Sequence, residues 1–455
     1  MDWNLEYISK AFLNLLQRDE LCCLKIVVER QSFDELFQTA ANVSFVTVVA
    51  LGTANVASLS TDQVAALSSR AVGALTSAQL DAMTSDQIEA LSSAQIAALS
   101  SSDLAALSSE DLQTFTTAEI ATLTSAAIPG ITSDKIGSLS TDRIAAINSR
   151  AIAALSSAQV AALTSDQVAA LSTGQLNALT SAAVRALETE DLATFDSADI
   201  AALQSRSLAA IATDKFATLT SAQVIGLTTA QIAALSTALI GTLSSTQVDG
   251  LTTTQIATLS SSQIAALTTD AIASFDTAQI AAIGSRAIGS LRSDQLSVLT
   301  SDQFGALTTT QLAGLTSAAI RGLNSDAVGT LSSSEIAVLS SRAVGALSTA
   351  NIALLDSTQL SGLTTGQLAS LSTAQVAVLD SDQLDGLLTS QVASLTTVST
   401  PHRGTEIADV ASGLVPIGSA ERGAGSAYGH RGTAEDGSES RGAHAIGTLL
   451  QRFAA

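Results

Sequence analysis

The chain has 455 residues, a net charge of −21 and only 3% aromatic residues. Hydrophobic residues make up 46% of it, so any core must be built from Leu, Ile, Val and Ala rather than from rings. Phosphate backbones are repelled by such acidity, and no basic stripe or stacking aromatics offset it, so we exclude nucleic acid as a partner. The adjacent Cys22 and Cys23 cannot form a disulfide framework.

Residues 1–51 precede the regular part of the chain and contain apolar residues at helical spacing. We expect a helical cap region here, because a terminal repeat needs a cover for its apolar face. The segment begins without a basic stretch, so it is not an ordinary cleaved signal peptide. No apolar run approaches the roughly 18 residues that a membrane span needs. The spacing is carried by Leu5, Ile8, Phe12, Leu15 and Leu16.

An eight-residue repeat fills residues 52–398, with 42 uninterrupted copies from Leu59 to Ser394. Position 1 is Leu or another apolar residue, and position 2 is mostly Ser or Thr. Position 3 is Ser or Thr in every copy, position 6 is apolar and position 8 is mostly small. Position 5 is commonly Gln, Asp, Glu or Ala. One octad buries too little apolar surface to fold alone, so neighbouring octads must stack as in a solenoid.

The spacing within the octad favours a short helix over a strand. One continuous helix would rotate the Leu positions by about 80° per octad and leave no buried stripe. Gln and Ala between the apolar positions favour helix, and positions 6 and 9 share a helical face. We therefore predict an all-α superhelical solenoid with one short helix per octad. The alternative is a β-solenoid with 24-residue coils. Pro129 should distort one helical turn.

The invariant hydroxyl at position 3 suggests a helix cap. We expect each helix to run from position 4 to the next position 1, with the position-3 side chain accepting a hydrogen bond from an unpaired amide. Acidic residues at positions 4 and 5 then lie in the first turn, where the helix dipole favours them. Representative predicted caps are Ser69, Ser77, Ser85, Ser93, Ser157 and Ser165.

Arginine recurs at position 4, often with an aspartate at position 4 of an adjacent octad. If successive helices stack in register, these residues form ion pairs along one edge of the solenoid. Exposed pairs of this kind contribute about 0–1 kcal/mol each. The predicted edge pairs are Asp62 with Arg70, Asp142 with Arg150, Arg206 with Asp214, and Arg286 with Asp294.

We find no catalytic or cofactor-binding pattern in the repeats. They contain neither His nor Cys, so their many serines lack an activating base. The position-4 acids are interrupted by Ala, Thr and Arg, and no calcium-binding loop motif occurs, so we expect no metal site beyond weak surface calcium binding. We therefore predict that the protein is not an enzyme, with no catalytic, cofactor-binding or metal-ligating residues.

The stretch AALSSAQVAALTSDQVAAL, from Ala153 to Leu171, resembles octad arrays of large secreted proteobacterial proteins. Those proteins are labelled haem utilisation or adhesion exoproteins, or RTX-like calcium-binding proteins. The resemblance implies export without a cleaved signal and a calcium-binding module after the array. Here residues 399–455 are instead Gly-rich and polar, which predicts a disordered tail. No array residue except Met83 could serve as an axial haem ligand.

These observations predict an extracellular or cell-surface repeat protein that acts as an adhesin-like spacer or binding surface. Its partner would be a protein or another cell surface. The alternative is a cytoplasmic or injected solenoid that presents a protein-binding face.

Overall fold

The structure, a computed structural model, describes residues 51–398 and so includes all 42 octads. The cap region predicted for residues 1–51, except Leu51 itself, and the tail predicted for residues 399–455 lie outside the described residues. The chain divides into two compact units at the octad boundary between Thr194 and Phe195.

The described part of the first unit, residues 51–194, consists of short helices joined by corners. One octad has a 3₁₀ turn, Ile128–Gly130, in place of an α-helix, as Pro129 predicts. The α-helices are Thr53–Ala57, Thr61–Ala65, Ser69–Val72, Ser77–Asp81, Ser85–Glu89, Ser93–Ile96, Ser101–Ala106, Ser109–Thr114, Thr117–Ile120, Ser133–Ser138, Thr141–Ala146, Ser149–Ile152, Ser157–Ala161, Ser165–Ala169, Thr173–Ala178, Ser181–Ala186 and Thr189–Ala193.

The described part of the second unit, residues 195–398, has one α-helix in each octad. These helices are Ser197–Ala202, Ser205–Leu208, Thr213–Ala217, Ser221–Ile225, Thr229–Ala234, Thr237–Ile240, Ser245–Asp249, Thr253–Ala257, Ser261–Ala266, Thr269–Ala273, Thr277–Ala282, Ser285–Ile288, Ser293–Ser297, Ser301–Gly305, Thr309–Gly314, Ser317–Ile320, Ser325–Thr330, Ser333–Val338, Ser341–Val344, Thr349–Ala353, Ser357–Ser361, Thr365–Leu368, Thr373–Val376, Ser381–Asp385 and Thr389–Val398.

Each unit is a solenoid with three octads in every coil. In the first unit, helix Ser85–Glu89 packs against Ser109–Thr114, three octads later. In the second unit, Ser221–Ile225 packs against Ser245–Asp249 at the same separation. Residues 24 apart therefore lie one above the other. The all-α assignment is confirmed, and residues 51–398 contain no β-strand.

The core of each unit is formed by positions 1 and 6, as their periodicity predicts. Leu91 and Ile96 in the first unit, and Phe216 and Leu219 in the second, are almost completely buried. Because each helix buries only about two such side chains, its stability depends on the coils above and below it.

Position 8 is small because it faces the backbone of the preceding coil. A Cβ atom added to Gly314 would lie 2.6 Å from the carbonyl oxygen of Ser285, 29 residues earlier. One added to Gly362 would meet the Ser333 carbonyl oxygen at the same distance. The coils therefore approach closely enough for their backbones to pack against each other.

The prediction that position 3 supplies the helix cap is wrong by one residue. The helices begin at position 3, and the N-cap is position 2: Ser68 caps helix Ser69–Val72, and its Oγ accepts a hydrogen bond from the amide of Ala71 at 3.2 Å. The residue after the cap already has helical geometry, so its own hydroxyl is displaced from the amides that a cap must reach. The predicted caps that are instead the first helical residues are Ser69, Ser77, Ser85, Ser93, Ser157 and Ser165.

Replacing the capping hydroxyl should destabilise a coil more than replacing its invariant neighbour. Thr228 Oγ1 accepts a hydrogen bond from the amide of Gln231 at 3.2 Å, whereas Thr229 is an exposed first helical residue. We expect Thr228→Ala to cost about 1 kcal/mol, within the usual range for a lost N-cap. Thr229→Ala should cost less than half of that. Thermal unfolding followed by circular dichroism compares the two, and an equal or larger effect of Thr229→Ala would contradict the corrected cap.

Candidate binding surface and the bonds between coils

The glutamine at position 5 joins consecutive coils through both ends of its side-chain amide. In the first unit, Gln95 Oε1 accepts a hydrogen bond from the Ser92 amide at 2.7 Å. Its Nε2 donates to the carbonyl oxygens of Val64 and Leu67 at 2.9 and 2.8 Å. Both carbonyls belong to the corner one coil below. Gln95 is 2% exposed, so these bonds lie in the interior.

The second unit repeats this arrangement. Gln231 Oε1 accepts from the Thr228 amide at 2.7 Å, and its Nε2 donates to the carbonyl oxygens of Ile200 and Leu203 at 2.8 and 2.7 Å. The Ile200 carbonyl also accepts from the Leu203 amide, but the Leu203 carbonyl would lose its donor without the glutamine, and a buried carbonyl without a donor costs about 1–3 kcal/mol. Where position 5 is glutamine, the side chain removes this cost while it completes a capping box.

Basic side chains take over the same role where position 5 is not glutamine. Lys135 Nζ donates to the Ala105 carbonyl oxygen at 2.7 Å. Arg143 Nε donates to the Phe115 carbonyl oxygen at 2.8 Å. These carbonyls lie 30 and 28 residues earlier in the chain, in the places that glutamine reaches. The corner therefore accepts a positively charged donor as readily as an amide.

Asparagine at position 2 supplies the donor in two octads whose position 5 is alanine. Asn148 Nδ2 donates to the Leu123 carbonyl oxygen at 2.8 Å, and Asn324 Nδ2 donates to that of Leu299 at 3.0 Å. Each of these asparagines also caps its own helix. Since the cap sits directly above the corner, a longer amide there can reach the same carbonyl.

Four of the predicted cap residues, all at position 3, instead contact the following coil through their hydroxyls. Ser85 Oγ donates to Asp111 Oδ1 at 2.8 Å, and Ser165 Oγ donates to Asp191 Oδ1 at 2.9 Å. Ser77 Oγ and Ser157 Oγ donate to backbone carbonyls 25 residues later. These four hydroxyls therefore act between coils rather than as caps.

The predicted edge ion pairs rest on a wrong stacking premise. Helices in successive octads lie on different sides of the coil, because packing partners are three octads apart. Asp294 shows the difference: it pairs with Arg292 at 3.0 Å, within its own octad, and not through a column with Arg286. The hydrogen bond from the Arg292 side chain holds the pKa of Asp294 below its ordinary value. The other predicted partners also belong to successive octads and so lie on different sides of the coil: Asp62 and Arg70, Asp142 and Arg150, and Arg206 and Asp214.

The outward surface includes positions 2, 4 and 7 in most octads, and position 3 in many of them. In the first unit, the position-4 residues Asp62, Asp86, Glu110 and Asp134 are 24 residues apart and so lie along one side. In the second unit, the large exposed apolar residues include Leu354 and Val378, also one coil apart. Within residues 51–398 no group of three or more His, Cys, Asp or Glu side chains is placed to hold a metal ion. No helix in that range is long and apolar enough to cross a membrane.

The fold and its interior bonds define an α-solenoid repeat protein. The ALTTAQ repeat matches residues 48–77, 72–101, 104–141, 142–173, 168–205, 224–261, 272–309 and 363–397, which together make up more than half of the chain. The chain belongs to the ALTTAQ repeat family. Gly226 to Gln231 reads GLTTAQ, so the family motif ends on the glutamine that joins the coils. Comparisons with curated proteins and with solved structures give no match.

Replacing the bridging amide by a carboxylate should loosen one coil. Gln231→Glu keeps an acceptor for the Thr228 amide but removes the donor to Ile200 and Leu203, which should cost about 2–3 kcal/mol. Amide hydrogen exchange over residues 200–232 should therefore accelerate by about 30–150-fold.

The opposite substitution, from a carboxylate to an amide, serves as the matched control. Glu335 occupies position 5 and accepts from the Ser332 amide, but it is only half-buried. We expect Glu335→Gln to slow exchange around residues 304–336, because the amide can donate to the corner below. Equal exchange in both variants and the unmodified chain would contradict the proposed role of position 5.

Proposed function

We propose that this protein is a non-enzymatic structural scaffold, placed outside the cell or on its surface, that acts as an adhesin-like spacer or binding surface. This proposal rests on one observation: the polar side chains that recur in the octad serve the fold itself. Position-2 and position-3 hydroxyls and position-5 amides are engaged in capping and in bonds between coils. Only the outward positions remain for a partner, and their residue types vary from octad to octad.

The energetics of the fold support a spacer. Helices three octads apart pack against each other along each unit, so an added or removed coil leaves the other helices with equivalent packing partners. Such an array can change its length in steps of 24 residues without a new core. A catalytic site, in contrast, needs one particular set of side chains at one place.

The chemistry of the repeats supports a role without catalysis or cofactor. Residues 52–398 contain no His or Cys, and a serine or threonine hydroxyl without a neighbouring base is a poor nucleophile. The acidic side of the first unit disfavours nucleic acid as a partner, since phosphate groups are repelled by it. We therefore propose a protein or cell-surface partner.

The alternative function is a cytoplasmic or injected solenoid that presents a protein-binding face. The exposed apolar side chains of Leu354 and Val378, which are 52% and 38% exposed, favour it. They lie one coil apart on the same side of the second unit, where a partner could cover both.

Cell fractionation combined with a register-preserving deletion tests the proposal. We expect the protein in the culture medium or on intact cells, where added protease digests it. Deletion of residues 227–250, three octads, should leave both the helical spectrum and the location unchanged. Deletion of residues 227–246 removes a similar length but breaks the register, and it should destabilise the second unit. Recovery of the intact chain only from the cytosol, protected from protease, would favour the alternative.

A further inference from the structure

The carbonyl groups at each corner form a set of acceptors for the coil above. For Gln95 the acceptors are the carbonyl oxygens 31, 30 and 28 residues earlier, at distances of 2.9, 3.5 and 2.8 Å. The next octad has Asp103 at this position, and its equivalent acceptors are the carbonyl oxygens of Val72, Gly73 and Leu75. A carboxylate cannot donate to them.

Asp103 is buried in a way that leaves one of its oxygens without a protein donor in the described part of the chain. The residue is 4% exposed, and Oδ2 accepts a hydrogen bond from the Ser100 amide at 2.7 Å. In the octads of Asp111 and Asp191, a serine 26 residues earlier donates to Oδ1. The equivalent serine here, Ser77, donates to the carbonyl oxygen of Ser102 at 3.3 Å instead.

A buried carboxylate beside carbonyl oxygens is stabilised either by a proton, which lets it donate to one of them, or by a positive charge between them. Four octads further on, position 5 is Lys135, whose Nζ lies 2.7 Å from the Ala105 carbonyl oxygen, so the equivalent corner there does bind a cation. Aspartate is one methylene shorter than glutamine, so its carboxylate lies further from the carbonyls than a glutamine amide does. A cation with oxygen ligands at about 2.3–2.6 Å on either side fits in the wider gap.

We propose that Asp103 Oδ1 and the carbonyl oxygens of Val72, Gly73 and Leu75 bind a calcium ion. Calcium accepts irregular oxygen sets, whereas magnesium demands near-ideal octahedral geometry. Gly73 is exposed, so water can complete the coordination shell. A single carboxylate places the dissociation constant on the order of 10⁻³ M, the range of extracellular calcium modules. The site stands on the coil geometry and does not depend on the proposed function.

Hydrogen exchange of the full chain with and without calcium tests this site. The chain is compared in 10 mM CaCl₂, in 10 mM MgCl₂, and in EDTA with NaCl added to equal ionic strength. We expect calcium to slow exchange over residues 72–75 and 100–107 by about tenfold, the factor that 10 mM ligand gives at a millimolar dissociation constant. Magnesium should have little effect.

Two variants separate a specific site from general charge screening. Asp103→Gln supplies a donor to the Leu75 carbonyl, so the same amides should be protected without calcium and should not respond to it. Asp191→Gln removes a buried carboxylate from the equivalent position, where Ser165 already donates to it, and should keep the full calcium response. An absent response in the unmodified chain, an equal response to magnesium, a response retained in Asp103→Gln or one lost in Asp191→Gln would overturn the proposal.

Discussion

The amide of the position-5 glutamine is the interaction on which the rest of the solenoid depends. A helix of four to six residues satisfies few of its own backbone groups, so most of them must find partners elsewhere. Gln231 meets this need at two places, because its oxygen accepts from its own helix cap and its nitrogen donates to the corner one coil below. Aliphatic burial at positions 1 and 6 supplies the driving force. The amide sets the register of the coils, since a slip of one residue would leave its Nε2 donor without the carbonyl partners in the coil below.

The sequence allows the type of element to be predicted, but not the way that the elements stack. The octad period, the apolar positions 1 and 6, and the distortion at Pro129 follow from helix geometry alone. The number of octads per coil depends on the angle between consecutive helices, which is set by corner backbone angles that no residue type at positions 1 and 2 determines. The predicted pair of Arg286 with Asp294 is wrong for this reason, since Asp294 pairs with Arg292.

Residue types alone place the cap one residue too late, because positions 2 and 3 carry the same types. Position 3 is the more regular of the two, but its hydroxyl does not cap the helix, and in Ser165 it donates to Asp191 of the next coil. The sequence does contain the deciding signal. Ser60 and Gln63 have the spacing of a capping box, in which a hydroxyl residue precedes Gln or Glu by three positions. The same pattern identifies position 2 as the cap and position 5 as its reciprocal partner.

Scalar coupling across hydrogen bonds measures the central interaction directly. In a sample labelled with ¹⁵N and ¹³C, the side-chain Nε2 of Gln231 should show a coupling to the carbonyl carbon of Leu203, 28 residues earlier in the chain. Its side-chain protons should also exchange slowly with solvent. A Gln231 amide that exchanges as fast as free glutamine and shows no coupling to Leu203 would contradict this account of how the coils are joined.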